Sequence, residues 1–243
     1  MADDRPRVGR VRREGARLGS AWGSHVPDYV IHLLRSHPDE TPIANAERTD
    51  AVVLFADVVG FTAMSEALAR SGRYGTEELT WILNGWFDAM SGRILRYGGS
   101  VAEFAGDALT AVFRYDARTR RSRTRRAVQC ALDMQAAMAR FQSVSTRAGR
   151  FRVAMKVGLA AGPLLQTVMG DPAVRLGYVL VGPALERAAA AQRHARGDEV
   201  VVDDELLGHG FGAEVVEREG RWWLVRSLRR RASPARPATP ATV

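Results

Sequence analysis

Apolar and polar residues alternate along the chain in a pattern that predicts a mixed order of helices and strands. A continuous apolar run predicts a buried first strand over 50–57. Apolar positions at helical spacing predict helices over 25–37, 61–71, 76–97, a basic segment ending near 142, 183–196 and a short turn at 204–208. Runs rich in β-branched and aromatic residues predict strands over 100–105, 108–114, 151–161, 164–169, 174–181, 199–203, 212–218 and 221–228.

Glycines and capping residues set the boundaries of these predicted elements. Gly72 is expected to stop the helix over 61–71, and Thr76 to cap the next one. Gly106 and Asp107 form a hairpin signal between two short strands. Gly162 and Pro163 are expected to turn the chain between the strands over 151–161 and 164–169, and Gly220 to join the last pair.

The resulting order predicts the fold class. A β-α-α-β-β-α-β core with extra strands is typical of a ferredoxin-like α/β sandwich, for which we expect the helices on one face of the sheet. We interpret residues 1–24 as a basic disordered arm and residues 25–48 as a short helix, with Pro27 in its first turn, and a loop. Residues 49–228 form the predicted domain, and residues 229–243 are a Pro/Ala-rich tail or linker without core positions.

Charge and composition narrow the classes of partner. The net charge is +8, carried almost entirely by arginine, since Lys156 is the only lysine. The arginines cluster at the ends and in one internal segment, which favours solvated faces and tails over a nucleic-acid surface. The single cysteine, Cys130, lies in a helical pattern and is expected to fill the core. No apolar stretch approaches the length of a membrane span, so we expect a cytoplasmic protein without a membrane or nucleic-acid partner.

The strand over 50–57 and the turn that follows carry the candidate chemistry. Asp57 ends the strand, Gly60 lies in the turn, and a second carboxylate, Asp107, lies at the tip of the predicted hairpin. Two acids at adjacent strand ends can hold two divalent cations at a phosphoryl group, and the amides of 59–62 can surround its oxygens. Taken separately, an aspartate at a strand end or in a hairpin is usually only a cap or a turn residue.

Several motifs resemble the class III adenylate and guanylate cyclases. Residues 55–62, Phe-Ala-Asp-Val-Val-Gly-Phe-Thr, resemble the family's F-x-D-[IV]-x-G-F-T signature, and residues 104–109 resemble its second metal motif. Residues 157–162 and 182–188 are similar to the central strand and the last helix of the family. The resemblance covers roughly residues 25–228. It is closest to the metal-bearing half of the soluble, bicarbonate-sensitive adenylyl cyclases and their bacterial relatives.

This resemblance implies a reaction, cofactors and partners. Two Mg²⁺ or Mn²⁺ ions would be held by Asp57, Asp107 and the Val58 carbonyl, and the triphosphate of ATP or GTP would lie against Val59, Gly60, Phe61, Thr62 and Gly106. The ribose 3′-hydroxyl would attack the α-phosphate and release pyrophosphate, leaving a 3′,5′-cyclic nucleotide. The site would lie at the interface of a homodimer or heterodimer of cyclase domains.

The chain departs from the family at the residues that complete such a site from the other half. The slot for the base-reading lysine is occupied by Glu103, and the slot for the base-reading Asp or Thr by Val179. The transition-state Asn and Arg slots hold Glu186 and Ala190. We therefore expect a homodimer to be inactive or very weak. Two hypotheses remain open: a cyclase half that needs a complementary partner, or a degenerate regulatory or dimerisation module.

Overall fold

The computed structural model describes residues 28–36, 46–171 and 174–235. The proposed arm over 1–24 and the predicted helix start at Pro27 lie outside these residues. The helices are α1 (Asp28–Ser36), α2 (Phe61–Ala69), α3 (Gly72–Arg96), α4 (Arg120–Met138), α5 (Pro183–His194) and α6 (Asp204–Leu207). The strands are β1 (Glu47–Val59), β2 (Ser100–Ala105), β3 (Ala108–Tyr115), β4 (Val144–Thr146), β5 (Gly149–Phe151), β6 (Ala154–Asp171), β7 (Arg175–Val181), β8 (Val200–Asp203), β9 (Ala213–Glu219) and β10 (Trp222–Leu228).

One large sheet organises the described part of the chain. Its order is β2-β3-β1-β6-β8-β10-β9, with β7 paired to the outer part of β6, while β4 and β5 form a separate hairpin. The pair β6–β8 is parallel, and the other pairs of the large sheet are antiparallel. The ferredoxin-like order predicted from the sequence is confirmed, with β1 between β3 and β6.

Helices cover both faces of the sheet, so the prediction that they share one face was wrong. Side chains alternate along β1: Val52 and Leu54 pack in one cluster with α3 and α4, while Ala51 and Val53 pack with α5 on the other face. Alternation in a strand buried on both sides gives a continuous apolar run, which carries no information about which helix lies on which face. Asp57 lies on the α5 face by the same alternation.

β6 runs through the position where a turn was predicted. Gly162 and Pro163 pair with Ala51 and Asp50 of β1 in unbroken register. The prediction of two strands joined at Gly162-Pro163 was therefore wrong, because the long pairing with β1 holds this dipeptide extended against its local turn preference. As a result, β6 continues past the end of β1 and pairs there with β7.

The corner between α2 and α3 also differs from the prediction. Gly72 begins α3 instead of ending the preceding helix, and Thr76 lies inside α3 rather than at its cap. The close approach of the two helices explains the difference: a Cβ at Gly75 would overlap the Leu68 carbonyl oxygen, so glycine permits a tight corner four residues earlier than the capping pattern indicates. The predicted helix end near 142 is likewise replaced by an end at Met138.

The described part of the C-terminal segment lies against the domain. Arg231 contacts the carboxylate of Asp133 at 2.9 Å, and the Ala232 amide donates to Gln129 at 3.2 Å. The Ala235 amide donates to the Arg96 carbonyl at 2.9 Å. Ala232 is only 5% exposed. Residues 229–235, which the composition placed in a tail without core positions, thus form a strap across α3 and α4.

The structure also bears on the expectations for Cys130 and for membrane-spanning helices. Cys130 is buried in the main core, as predicted, and its burial raises the pKa of the thiol. Among the described residues, no helix combines the length and the apolar character needed to cross a membrane.

Candidate functional site

The end of β1 places Asp57 between two neighbouring strands. Asp57 pairs with Ala108 of β3 on one side and with Lys156 of β6 on the other. The pairing with β3 ends there, whereas the pairing with β6 continues for two more residues, to Val59. Because the strand is fixed from both sides up to Asp57, the position of this carboxylate is set by the sheet rather than by a loop.

The second predicted acid lies beside the first. Asp107 precedes β3 in the tight turn after β2, where Gly106 takes a φ of 64°. Since Ala108 pairs with Asp57, Asp107 lies one step beyond it, opposite the last residues of β1. The negative charge of Asp107 is close enough to raise the pKa of Asp57. The structure therefore brings together the two carboxylates that the sequence singled out.

The backbone of Val58 faces the same place. Met155 of β6 is the register partner of Val58. Its carbonyl accepts hydrogen bonds from the Asp198 amide and from Gln135 Nε2, both at 2.8 Å, on the side of β6 away from β1. Met155 and Val58 are thus a pair without mutual ladder bonds, so the Val58 N–H and C=O point the other way, toward the β2–β3 turn. The N–H donates to the Asp57 carboxylate. The carbonyl faces Asp107, beyond the last partner that β3 offers.

The turn after β1 is built around Gly60. Its φ of 89° lies in the left-handed region, and a Cβ would overlap the Arg152 carbonyl oxygen. Any side chain here would be strained and would displace the segment between β5 and β6 that contains Arg152. Gly60 is the N-cap of α2 and makes no side-chain hydrogen bond to the helix. The first amides of α2, which include that of exposed Thr62, are therefore left without a side-chain cap.

The surroundings of Asp57 balance several effects on its pKa. Burial raises the pKa, and the negative charge of Asp107 raises it further. The positive charge of Lys156, the Val58 amide and a hydrogen bond from Gln192 oppose these effects, and the net shift is upward. Gln192 Nε2 lies 3.1 Å from Asp57 Oδ2.

Lys156 and Gln192 were not predicted as site residues. Lys156 is directly opposite Asp57 in the register between β1 and β6. Lys156 is the only lysine in the sequence and lies in a strand predicted to be central, and this could have marked it as a candidate site residue. Gln192 lies in an alanine-rich helix more than a hundred residues from Asp57, and nothing local marks it.

The donor set fits a divalent cation that a nucleotide helps to bind. Among the residues that the structure describes, no group of three or more His, Cys, Asp or Glu side chains could hold a metal by itself. Mg²⁺ is usually held by one or two carboxylates plus substrate phosphates rather than by an all-protein cage. Asp57, Asp107 and the Val58 carbonyl supply hard oxygen donors of that kind at one place, on the edge of a turn suited to anions.

The slots of the complementary half are not gathered in the same way. Glu103 is exposed on β2, and its charge contributes to raising the pKa of Tyr178. Val179 pairs with Thr167, and because its neighbour Tyr178 packs on the α5 side, Val179 faces the opposite side of the sheet. Glu186 is exposed near the start of α5 and Ala190 is partly exposed one turn further on. None of these four side chains offers a cation.

Comparisons with known proteins identify relatives of this chain in sequence and in fold. Residues 44–216 match the family described as the adenylate and guanylate cyclase catalytic domain. Adenylate cyclase type 10 from Homo sapiens is 30% identical over 182 residues, and the match covers 74% of this chain and 11% of the human protein. Adenylate cyclase 2 from Rhizobium meliloti is 36% identical over 67 residues, which cover 28% of this chain and 17% of that protein. The chain thus spans a small part of the length of these relatives.

Solved structures show the same fold. The adenylyl cyclase CyaB from P. aeruginosa is 21% identical with a TM-score of 0.63, covering 76% of this chain and 98% of that one. The guanylate cyclase domain of RhGC from Catenaria anguillulae, solved in complex with GTP, is 20% identical with a TM-score of 0.61, covering 75% of this chain and 100% of that domain.

Proposed function

Because the chain belongs to the adenylate and guanylate cyclase catalytic domain family, we propose that it is the metal-bearing half of a nucleotidyl cyclase. It forms a 3′,5′-cyclic nucleotide and pyrophosphate from ATP or GTP only with a complementary partner half. The observation that carries this proposal is the convergence of Asp57 and Asp107 at the end of β1, beside the Gly60 turn.

In this proposal, one set of residues binds the metal ions and another binds the phosphate groups. Asp57, Asp107 and the Val58 carbonyl would hold two Mg²⁺ or Mn²⁺ ions, whose chemistry when bound would be Lewis-acid activation of a hydroxyl and neutralisation of phosphate charge. The amides of 59–62 and of Gly106 bind phosphate oxygens, aided by the dipole of α2. The bond from the 3′-oxygen to the α-phosphorus forms as the α–β phosphoanhydride bond breaks, and the hydroxyl proton leaves to solvent.

The chain lacks the groups that a second half would contribute. Removal of a transition-state arginine in phosphoryl transfer lowers the rate by a factor on the order of 10³–10⁵. Glu103 and Glu186 would also place negative charges near a triphosphate in a homodimer. We therefore infer that the homodimer is inactive or very weak, and that a heterodimer with a second cyclase-like domain is the active form.

A second candidate function is a regulatory or dimerisation module that makes no product. The observation in its favour is the absence of cationic or amide side chains at Glu103, Val179, Glu186 and Ala190. Retention of both carboxylates and of the Gly60 turn argues for the first candidate, because a module without a substrate does not need them.

An activity assay separates the two candidates. Cyclic nucleotide formation from ATP and from GTP is measured with Mn²⁺, first with the chain alone and then with a cyclase half that carries the Lys, Asn and Arg. We expect product in the mixture and its loss with Asp57→Ala. A heterodimer that forms, as seen by size-exclusion chromatography, but makes no product from either nucleotide would support the regulatory module instead.

A further inference from the structure

The carboxylate of Asp57 is held by a residue from another element. Gln192, on α5, donates from Nε2 to Asp57 Oδ2 at 3.1 Å. The Gln192 residue is 7% exposed, although glutamine is usually found at the surface. A buried amide aimed at a carboxylate more than a hundred residues away calls for an explanation beyond helix formation.

The helix reaches Asp57 because of a glycine in the central strand. Gly158 pairs with Phe55, two residues before Asp57 on the same face of β1. A Cβ at Gly158 would overlap the Ala188 carbonyl oxygen and the backbone nitrogen of Gln192, so α5 lies directly on the backbone of β6. This close approach allows the side chain of Gln192 to span the remaining distance to Asp57.

The other end of the same helix is fixed by a buried ion pair. Arg187 Nε lies 2.7 Å from Asp203 Oδ2, and the guanidinium also donates to the Ala161 carbonyl. Asp203 is fully buried, and its carboxylate also caps Leu206 at 2.9 Å. α5 is therefore held at two points, by the ion pair of Arg187 and by its contact with Gly158 of β6. Gln192 thus extends from a helix whose position is fixed.

We propose that Gln192 is a positioning residue that orients the Asp57 carboxylate toward a divalent cation. This inference rests on the proposed function, since it takes Asp57 as a metal ligand. Gln192 donates to Oδ2, and hydrogen bonding by the Val58 amide adds a second restraint on the Asp57 carboxyl group. Groups that hold a ligand in this way are worth about 10–100-fold in metal affinity.

Binding of Mn²⁺ alone to the full chain tests this inference without any activity measurement. Free Mn²⁺ is followed by electron paramagnetic resonance during a titration, with wild type, Gln192→Met, Gln166→Met and Asp57→Ala. Methionine keeps the length and helix propensity of glutamine and removes the donor. We expect Gln192→Met to raise the dissociation constant roughly tenfold or more.

Gln166→Met is the matched control. Gln166 is also buried in this domain, but it accepts from the Tyr178 hydroxyl at 2.8 Å and is ten residues along β6 from Lys156. It should bind Mn²⁺ like wild type. Thermal unfolding monitors the fold of each variant, and Gln192→Asn, whose amide is too short to reach Asp57, replaces Gln192→Met if that variant does not fold.

The outcomes distinguish this inference from the proposed function. Equal or tighter Mn²⁺ binding by Gln192→Met, in a wild type whose binding depends on Asp57, overturns the positioning role and leaves the cyclase proposal standing. An equal loss in Gln166→Met and Gln192→Met also overturns it, because the effect would then come from general loosening. Wild-type binding that Asp57→Ala does not weaken overturns both.

Discussion

The two regions that together would make a cyclase site differ sharply in this chain. At the end of β1, two carboxylates, the Val58 carbonyl and the Gly60 turn are positioned by the pairing of β1 with β3 and β6. On β2, β7 and α5, the slots for the complementary residues are occupied by Glu103, Val179, Glu186 and Ala190, which offer acids and apolar groups. Both regions belong to the same folded sheet and its helices, so the difference lies in the chemistry of the side chains.

The two regions also differ in how their residues are packed. Asp57 lies on a strand buried on both faces and is contacted from α5, so its place is tied to the core. Glu103 and Glu186 are exposed. Exposed positions can be replaced at little cost in stability.

The largest expected effect comes from restoring the missing half. A variant with Glu103→Lys, Val179→Asp, Glu186→Asn and Ala190→Arg should form cyclic nucleotide as a homodimer, at a rate on the order of 10³-fold or more above wild type, because it regains a transition-state cation. The rate is measured with Mn²⁺ and ATP.

The matched control adds Asp57→Ala to the four substitutions and should return the rate to background. If the fourfold variant forms a dimer and stays as inactive as wild type, the four slots do not account for the difference between the two regions.

An intermediate effect is expected at Gly158, where α5 packs against β6 between the two regions. Gly158→Ala should push α5 away from β6, which weakens Mn²⁺ binding through Gln192 and destabilises the domain by about 1–3 kcal/mol. The free energy of unfolding is measured by urea denaturation, alongside the Mn²⁺ titration. Gly85→Ala is the control, since a Cβ there meets nothing within 4 Å, and it should be neutral or slightly stabilising. Unchanged stability in Gly158→Ala would contradict the direct contact between helix and strand.

The smallest effect is expected far from both regions, in the strap over 229–235. Burial by itself raises the pKa of Asp133, but hydrogen bonds from Tyr97 and Gln129 and the charge of Arg231 outweigh it, and the pKa is lowered. Arg231→Ala should lower the melting temperature by no more than about 3 °C at pH 7, with Mn²⁺ binding unchanged.

The pH dependence of this effect has a definite sign. A carboxyl whose pKa is lower in the folded state stabilises the fold above its ordinary pKa, about 3.9, and loses that contribution as the pH falls through the lower folded value. The difference in melting temperature between wild type and Arg231→Ala should therefore be largest near neutrality and should shrink in acid. A difference that grows in acid would contradict the ion pair with Asp133.

Local signals in the sequence were sufficient to locate Asp57, Gly60 and Asp107. The apolar run before Asp57, the turn at Gly60 and the hairpin at Asp107 each lie within a few residues of the element that they define. The order of elements then placed the two acids on neighbouring strands, and the structure confirms that placement.

What the sequence missed depends on contacts between distant residues. Lys156 meets Asp57 through the register of β1 with β6, and Gln192 through the docking of α5 at Gly158. Gly162 and Pro163 have the local character of a turn and become part of β6 only because β1 is long enough to pair with them. The strap over 229–235 has no apolar period, and its attachment follows from single contacts such as Arg231 with Asp133.

One measurement tests the central claim most directly. The chain is mixed with a cyclase half that carries the Lys, Asn and Arg but whose own metal-binding aspartates are replaced by alanine, so that any active site must take its metal ligands from Asp57 and Asp107. We predict cyclic nucleotide formation by the mixture, none by either protein alone, and none when the chain carries Asp57→Ala. A stable heterodimer without product, or a wild-type homodimer as active as the mixture, would contradict the claim that this chain is the metal-bearing half of a shared site.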